Sequence, residues 1–363
     1  MQPWPIPVRI LPDELLSSWL IRCALAHGCD PLVLTGEIWP GWRAWTVDMD
    51  RGLSHAQLDV LQKMSGQSRR ALIQATLDPT MCAIGLPLAK STWPWLLGLG
   101  TRNRRRSGGL QCCPLCLGAD RKPYFRIQWR LAWHTGCEKH QISLIDRCPC
   151  CQMVVSPHLT VATNPDLGLC VYCQFRLTES INQNSLMSSL AFQAMADQGV
   201  ATGFAAYGTL MLPLPEWLTL ARYFMGLIRK VAIRPVARMV MILNLCGVSL
   251  TTMAPPATAL SFEMLPVSER TWLLAATWAV LGAGLERFSK AALESHITRW
   301  ALFDHRGIVP SCLDGLCQSL PERTVRHTKE IEFVQYKPRS EVVVMRKWAR
   351  LQRKLLAKKG RLP

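Results

Sequence analysis

The chain has 363 residues, of which 49% are hydrophobic, and it contains 15 cysteines. A chain of this length and composition buries ordinary hydrophobic cores, which excludes a small secreted domain held together by disulfides. The formal net charge of +17 indicates a polyanionic partner, most commonly nucleic acid, although basic residues also serve solubility.

Neither a secreted nor a membrane protein is expected. The first residues, "MQPWPIPVRILPDELL", lack the basic and apolar regions of a signal peptide, and the number of cysteines is odd. The most apolar segment, "TWLLAATWAVLGAGL", is closed by Arg270 and Glu286, so it is shorter than the roughly 20 residues of a membrane-spanning helix. These features predict a reducing, cytoplasmic location.

The first predicted element is an amphipathic helix in "PDELLSSWLIRCALAHG". Apolar residues recur at intervals of three and four from Leu15 to Cys23, which is the helical period. Asp13 and Glu14 suit the positive N-terminal end of a helix, and Gly28 suits its end.

A pair of short helices is predicted next, in "LSHAQLDVLQKMSGQSRRALIQATL", with a hinge at Ser65-Gly66. Ser54 and Gln57 have the spacing of a capping box. The pair resembles a helix-turn-helix, and the alternative is a plain helical hairpin inside a core. In the helix-turn-helix interpretation, the residues at the start of the second helix contact base edges, phosphates or a partner: Gln67, Ser68, Arg69, Arg70 and Gln74.

An arginine-rich segment, "TRNRRRSGG", follows the N-terminal helices and directly precedes the cysteine-rich region. Guanidinium groups so closely spaced favour binding of phosphates. The candidate contacts for nucleic acid or a partner in this segment are Arg102, Arg104, Arg105 and Arg106.

The cysteines of the middle region fall into pairs separated by two residues, and each pair is followed by a second pair about twenty residues later. Two ligands at this spacing occupy two corners of a tetrahedron, so two pairs complete a zinc site. The pattern predicts two zinc ions per chain, one held by Cys113, Cys116, Cys137 and His140 and one held by Cys148, Cys151, Cys170 and Cys173. Reduced core cysteines and iron–sulfur clusters are less favoured alternatives, and cross-braced pairing stays open.

Both quartets are complete, which favours structural over catalytic zinc. Cys112 and Cys150 are interpreted as free thiols, because either one as a ligand would change the two-residue spacing. His134 is expected to be packed or hydrogen-bonded, and no catalytic motif is present in the sequence. We therefore expect no enzymatic activity.

The region from Ser180 to Val325 is predicted to be helical. It contains the segments "LPEWLTLARYFMGLIRKVA" and "SERTWLLAATWAVLGAGLERFSKAALESHITRW". In the first segment Trp217, Phe224 and other apolar residues share one face, which is typical of a helix packed on a core.

The last segment is strongly basic, with ten Lys or Arg residues and one acidic residue, Glu341, between Lys337 and Pro363. Within it, "VVVMRKWARLQRKLLAKKG" has the pattern of a basic amphipathic helix, which binds nucleic acid, acidic protein surfaces or membranes. The candidate contacts here are Arg346, Lys347, Arg350, Arg353 and Lys354.

Together these elements predict a mainly α protein with a small zinc-ribbon-like α+β middle. The predicted parts are an N-terminal helical domain with the helix-turn-helix, a tandem zinc-binding domain, a C-terminal helical domain and a basic segment. Their boundaries are 1–100, 101–180, 181–330 and 331–363.

Four segments together resemble the TniQ family: "LPDELLSSWLIRCA", the Cys-Pro-x-Cys pairs, "PYFRIQWRLAWHTGCEKH" and "LIDRCPCC". The resemblance runs from about residue 5 to residue 180. It implies zinc binding by both quartets and a helix-turn-helix from Leu53 to Leu77. It also implies a non-enzymatic transposon subunit that selects the target and recruits an AAA+ ATPase, which regulates a DDE transposase.

Members of the family select targets in two ways, by binding an attachment site directly or by docking on an RNA-guided CRISPR effector. The length of this chain resembles that of the members that dock on an effector, so the expected partners are the AAA+ ATPase, a CRISPR ribonucleoprotein, DNA and a second copy of the chain. Alternatives are a direct attachment-site reader, a zinc-containing transcription regulator and, in a third class, a zinc-dependent nucleic-acid enzyme.

Overall fold

Helices make up most of the structured chain, in agreement with the predicted fold class. The computed structural model describes residues 2–85, 94–98, 110–181, 183–249, 260–303 and 309–322, and parts of 340–352. The helices are α1 Leu16–Ala26, α2 Pro31–Ile38, α3 His55–Ser65, α4 Arg69–Gln74, α5 Asp78–Ala83, α6 Pro114–Ala119, α7 Met187–Thr202, α8 Leu214–Ile233, α9 Ala237–Leu245, α10 Val267–Glu294, α11 Arg299–Leu302 and α12 Asp314–Ser319. The strands are β1 Phe204–Tyr207 and β2 Leu210–Pro213.

The chain divides into two units, Met1–Glu322 and Arg323–Pro363. The predicted boundaries near residues 100, 180 and 330 stay predictions. In the second unit, the described residues from Glu341 to Gln352 are helical, which agrees with the predicted basic helix.

Helix α1 lies between two hydrophobic cores. Leu15 and Ile21 contribute to the main core, whereas Trp19 and Leu20 contribute to an N-terminal core shared with α2, α3 and α4. The helix therefore has apolar residues on more than one face, and even its serines Ser17 and Ser18 are buried. The predicted helix is confirmed, and burial on both sides explains why its polar groups need internal partners.

Helices α3 and α4 form the predicted helical pair. The hydroxyl of Ser54 accepts the amide of Gln57, and the Gln57 side chain accepts the amide of Ser54, which completes the predicted capping box. Gly66 ends α3 with a φ of 68°, a conformation that glycine adopts without steric cost. Ser68 then caps α4 through the Ala71 amide.

The middle region, residues 110–181, differs from the predicted α+β arrangement. Its described residues contain α6, short 3-10 turns and isolated antiparallel bridges such as Cys112 with Ile145 and Gly136 with Ser143, but no strand. The tight turns at the ligand pairs leave too few extended residues between them for a continuous ladder. The only strands of the described chain lie further on, at β1 and β2.

Helices α7, α8 and α10 pack around the β1–β2 hairpin, which is antiparallel with Phe204 opposite Pro213. The predicted apolar face of α8 is buried, and the indole of Trp217 donates to the carbonyl of Ala206 at 2.8 Å. The hairpin meets α10 so closely that a Cβ on Gly208 would lie 2.7 Å from the Cα of Gly284. Sequence reasoning did not predict this hairpin.

The main core is continuous through three parts of the chain. It includes Leu77 from the N-terminal helices, Cys112 and Trp133 from the cysteine-rich region, and Trp217 and Leu274 from the C-terminal helices. The cysteine-rich region is therefore packed into the body of the first unit. Throughout the described segments, we find no helix with both the length and the hydrophobicity to cross a membrane.

Candidate metal centres

Three thiols and one imidazole converge at site 1, formed by Cys113, Cys116, Cys137 and His140. The His140 Nδ1 atom lies 3.4 Å from the sulfurs of both Cys113 and Cys116 and 3.5 Å from that of Cys137. The sulfurs of Cys116 and Cys137 are 3.6 Å apart. The imidazole thus faces the three thiols through Nδ1, as a fourth ligand would.

Four thiols converge at site 2, formed by Cys148, Cys151, Cys170 and Cys173. The sulfur of Cys148 lies 3.6 Å from that of Cys173, and the sulfur of Cys151 lies 3.6 Å from that of Cys170. Each site is therefore formed by two ligand pairs that follow one another in the sequence. The structure contradicts the cross-braced alternative, in which alternate pairs share a metal ion.

Three of the four ligand pairs share one backbone turn. In each pair, the backbone amide of the first ligand donates to the carbonyl of the residue five positions later. The carbonyl of the same ligand accepts a hydrogen bond from the amide of the residue four positions later. The residue after the second ligand has a positive φ in all three cases: Gln141 at 55°, Gln152 at 60° and Gln174 at 62°. The fourth pair differs because Pro114 begins α6 and Cys113 is its N-cap.

The ligand atoms fit a tetrahedral metal ion. Zinc binds sulfur at about 2.3 Å, which places tetrahedral sulfur ligands about 3.7 Å apart. The observed 3.6 Å separations are close to this value and far from the roughly 2.05 Å of a disulfide. Cysteine sulfur and imidazole nitrogen are the donors that zinc prefers, so both quartets could hold a zinc ion.

The two sites differ in their surroundings. At site 1 the three cysteines are buried and belong to the main core, together with Cys112 and Leu117. At site 2 only Cys148 and Cys170 are buried, in a small cluster with Leu177. Cys173 is exposed, and the bond from the Phe175 amide lowers the pKa of its thiol to about 7.

Cys112, Cys150 and His134 lie near the two sites without belonging to either quartet. Cys112 is buried outside both quartets, and burial raises the pKa of its thiol. Cys150 is exposed and also lies outside the quartets. His134 is buried, with its Nε2 atom 2.8 Å from Asp197 Oδ1.

A buried arginine, Arg130, joins the region of site 1 to the N-terminal helices. Its guanidinium bonds to Asp48 at 2.5 Å and to Asp50 at 2.8 Å, and it also donates to the Leu97 carbonyl. Asp50 in turn accepts the amide and the hydroxyl of Ser17 on α1. Burial alone would lower the pKa of Arg130, but the two carboxylates raise it, so the guanidinium stays charged.

A second buried arginine, Arg270 of α10, joins the same region to the C-terminal helices. It donates to the carbonyl of Ala132 at 2.7 Å and to the Gln111 side chain at 2.8 Å. Gln111 donates onward to the carbonyl of His134. Burial lowers the pKa of Arg270 to about 10, so it is still charged at neutral pH.

Sequence reasoning missed both arginines as positioning residues. Arg130 lies in "QWRLAW" and Arg270 at the start of an apolar helix, so each stands among residues that pack a core. An arginine at a core-facing position is rarely buried without partners, and this signal could have identified them.

Residues 5–144 match a family model described as TniQ. The predicted resemblance is confirmed. The match covers residues 5–144 of 363, which is less than half of the chain. Comparison with curated proteins finds no match.

The TniQ match covers α1 to α6 and both ligand pairs of site 1. Site 2 begins at Cys148, after the end of the match. The expected extent of the resemblance, to about residue 180, is thus longer than the matched range.

Within the TniQ match, the candidate contacts on α4 have different environments. Ser68, Arg70 and Gln74 are exposed. Arg69 bonds instead to Asp59 and to His55 of α3, and the side-chain amide of Gln67 donates to the Val8 carbonyl. Arg70 and Gln74, four residues apart on one helix face, are therefore the candidates available to a partner.

The remaining predicted contacts lie outside the described residues. These are Arg102, Arg104, Arg105 and Arg106 in the arginine-rich segment, and Arg346, Lys347, Arg350, Arg353 and Lys354 in the basic segment.

Proposed function

We propose that this protein is a non-enzymatic target-selection adaptor of a transposon. It links a target-bound complex, an RNA-guided CRISPR effector, to an AAA+ transposition regulator and the transposase. The TniQ match over residues 5–144 is the observation that carries this proposal. A cytoplasmic location and assembly as a homodimer belong to the same proposal.

We further propose that sites 1 and 2 each hold one structural zinc ion. Four protein ligands at each site leave no position for a catalytic water. When bound, the ions cross-link backbone turns, and the cysteines and His140 hold them in that role. The histidine at site 1 favours zinc over an iron–sulfur cluster.

Docking is favoured over direct DNA reading by the size of the candidate reading helix. Helix α4 has six residues and is therefore about 9 Å long, which is less than two helical turns. One such helix offers few side chains to base edges, with Arg70 and Gln74 as the exposed pair. Sequence-specific proteins gain specificity by combining several reading elements or by dimerising.

The basic segment supports contact with a polyanion. It has ten basic residues between Lys337 and Pro363, so each phosphate it neutralises would add close to one unit to the logarithmic salt dependence of binding. We propose that this segment strengthens binding to DNA or a ribonucleoprotein without selecting a sequence.

The decisive experiment is affinity purification of the tagged, full-length chain from cells that express the native operon. We expect an AAA+ ATPase and a guide-RNA effector to be recovered together with it. The double variant Arg70→Ala with Gln74→Ala should recover less of at least one partner, whereas Lys230→Ala, an exposed cation on α8, should not.

A selection from random DNA with the purified protein tests the alternative that the protein reads a DNA sequence directly. A long, defined motif would reject docking and favour a direct attachment-site reader or a zinc-containing transcription regulator. Recovery of neither the ATPase nor an effector would reject the adaptor role itself.

A further inference from the structure

An unassigned groove lies beside site 1, between the last turn of α1, the end of α6 and residues 165–178. Its volume is about 660 Å³, within the roughly 300–1,000 Å³ of ligand sites. None of the metal ligands lines it, so it is separate from the two centres.

The floor of the groove is apolar. It consists of aliphatic side chains, with Leu117 of α6 and Leu167 buried and Leu25 of α1 half-buried beside them. An occupant therefore gains free energy by placing an apolar side chain on this floor.

The rim of the groove is basic. Arg22, Arg121, Lys122 and Arg176 line it, and the carboxylates among its described lining residues are Asp120 and Asp166. Both carboxylates already have partners, because Asp120 accepts two bonds from Arg126 and Asp166 accepts one from Arg176.

Two cations of the rim are left without a counter-charge. Arg121 and Lys122 are exposed, and neither has an ion-pair partner among the described residues. Arg22 is paired with Glu14 at 2.6 Å, but its Nε–H has no acceptor in the described chain. An occupant with carboxylates would supply the missing negative charge.

We propose that the groove is a docking site for a peptide segment of a partner protein, with an apolar anchor residue flanked by acidic residues. The anchor lies on Leu25, Leu117 and Leu167, and the carboxylates face Arg121 and Lys122. Such a surface binds one short segment of the partner, and its affinity adds to that of the contacts made elsewhere on the chain.

Nucleic acid fits the groove less well. Proteins that bind single strands stack bases on aromatic side chains, and none of the described residues that line the groove is aromatic. Phosphates could reach Arg121 and Lys122, but the apolar floor beneath them would then have no partner.

The test is a selection from a random twelve-residue peptide library with the purified full-length protein. We expect enriched peptides to combine one large apolar residue with at least two acidic residues. The most enriched peptide, labelled with a fluorophore, then gives affinities for three variants.

The charge reversal Arg121→Glu with Lys122→Glu should weaken binding at least tenfold. Ala26→Trp should do the same, because Ala26 lines the groove at an exposed helical position where a larger side chain fits. The control Lys230→Glu with Arg234→Glu makes the same charge change at exposed positions of α8 and its C-cap, and it should weaken binding less than threefold.

Three outcomes would overturn the proposal. These are enriched peptides without acidic residues, an equal loss of affinity in the control, and displacement of the peptide by a twelve-nucleotide single strand at equal concentration. The selection uses the purified protein alone, so its result is independent of the role in transposition.

Discussion

Sites 1 and 2 have ligand pairs of the same spacing but lie in different surroundings. The three cysteines of site 1 belong to the main core, and buried arginines connect the segments around the site to helices on both sides. The cysteines of site 2 share a small apolar cluster, and one of them, Cys173, is exposed. The same ligand spacing therefore occurs once within the main core and once beside a small apolar cluster.

Ligand spacing therefore determines the local turn, whereas the surrounding packing determines how much of the protein depends on the metal. At site 1 the metal ligands and a hydrophobic core stabilise the same segments. At site 2 the ligands stabilise a segment with little core of its own, as in small metal-dependent domains. The TniQ match includes the first site and ends before the second.

The largest effect is expected from Cys137→Ser. Loss of this ligand should remove one zinc ion and abolish the cooperative unfolding transition, because Cys137 is buried in the main core. Elemental analysis and circular-dichroism melting measure the two effects. Cys112→Ser is the control and should retain both ions, since Cys112 is buried but is not a ligand. An unchanged melting curve for Cys137→Ser would contradict the inference that the main core depends on the metal ion at site 1.

Arg270→Met should destabilise the protein by about 2–6 kcal/mol. The substitution leaves the Ala132 carbonyl and the Gln111 side chain buried without their donor, at about 1–3 kcal/mol each. Chemical denaturation measures the change. Arg287→Met, an exposed position of the same helix, should stay within about 0.5 kcal/mol of the unchanged protein. Equal losses of stability in the two variants would show that the bonds from Arg270 to Ala132 and Gln111 do not stabilise the packing of this region on α10.

Cys151→Ser should remove one zinc ion and leave the main unfolding transition in place. Site 2 has only a small apolar cluster, so the loss should be confined to the segment from Cys148 to Phe175. Limited proteolysis should then find new cleavage within that segment. If the variant unfolds as completely as Cys137→Ser, the two sites do not differ in the way we infer.

The smallest effect is expected from glycine at the strained turn positions. Gln141 and Gln152 have φ values of 55° and 60°, which cost a side chain about 1–2 kcal/mol, partly offset by the greater freedom of glycine when unfolded. Gln141→Gly should raise the stability of the main transition by less than about 1 kcal/mol. Gln152→Gly should instead slow zinc transfer from site 2 to a chelator. A shift of the main transition by Gln152→Gly would contradict this assignment.

Much of the local structure could be predicted from the sequence. The ligand spacing identified both quartets, and Ser54 with Gln57 identified the start of α3. The apolar period identified α1 and α8. These features are determined within a few residues or a few helical turns, and the same holds for the turn at each ligand pair.

The sequence did not identify the β1–β2 hairpin or the groove beside site 1. The hairpin has four residues in each strand, too few for a clear alternation of apolar and polar residues. The groove is lined by residues as distant as Leu25, Leu117 and Leu167, whose proximity follows from packing.

The amino-acid sequence was thus sufficient to identify the residues that could bind metal, the buried faces of the long helices and the family that the first part resembles. Three features became visible only in the folded chain: the cysteines of site 1 belong to the main core, Arg130 pairs with Asp48, and Arg270 donates to the Ala132 carbonyl. They depend on residues that are far apart along the chain. Metal ligation and helix periodicity act over short spacings. The buried Arg130 and Arg270, in contrast, bond to Asp48 and Ala132, which are 82 and 138 residues away and are brought close by the packing of the core.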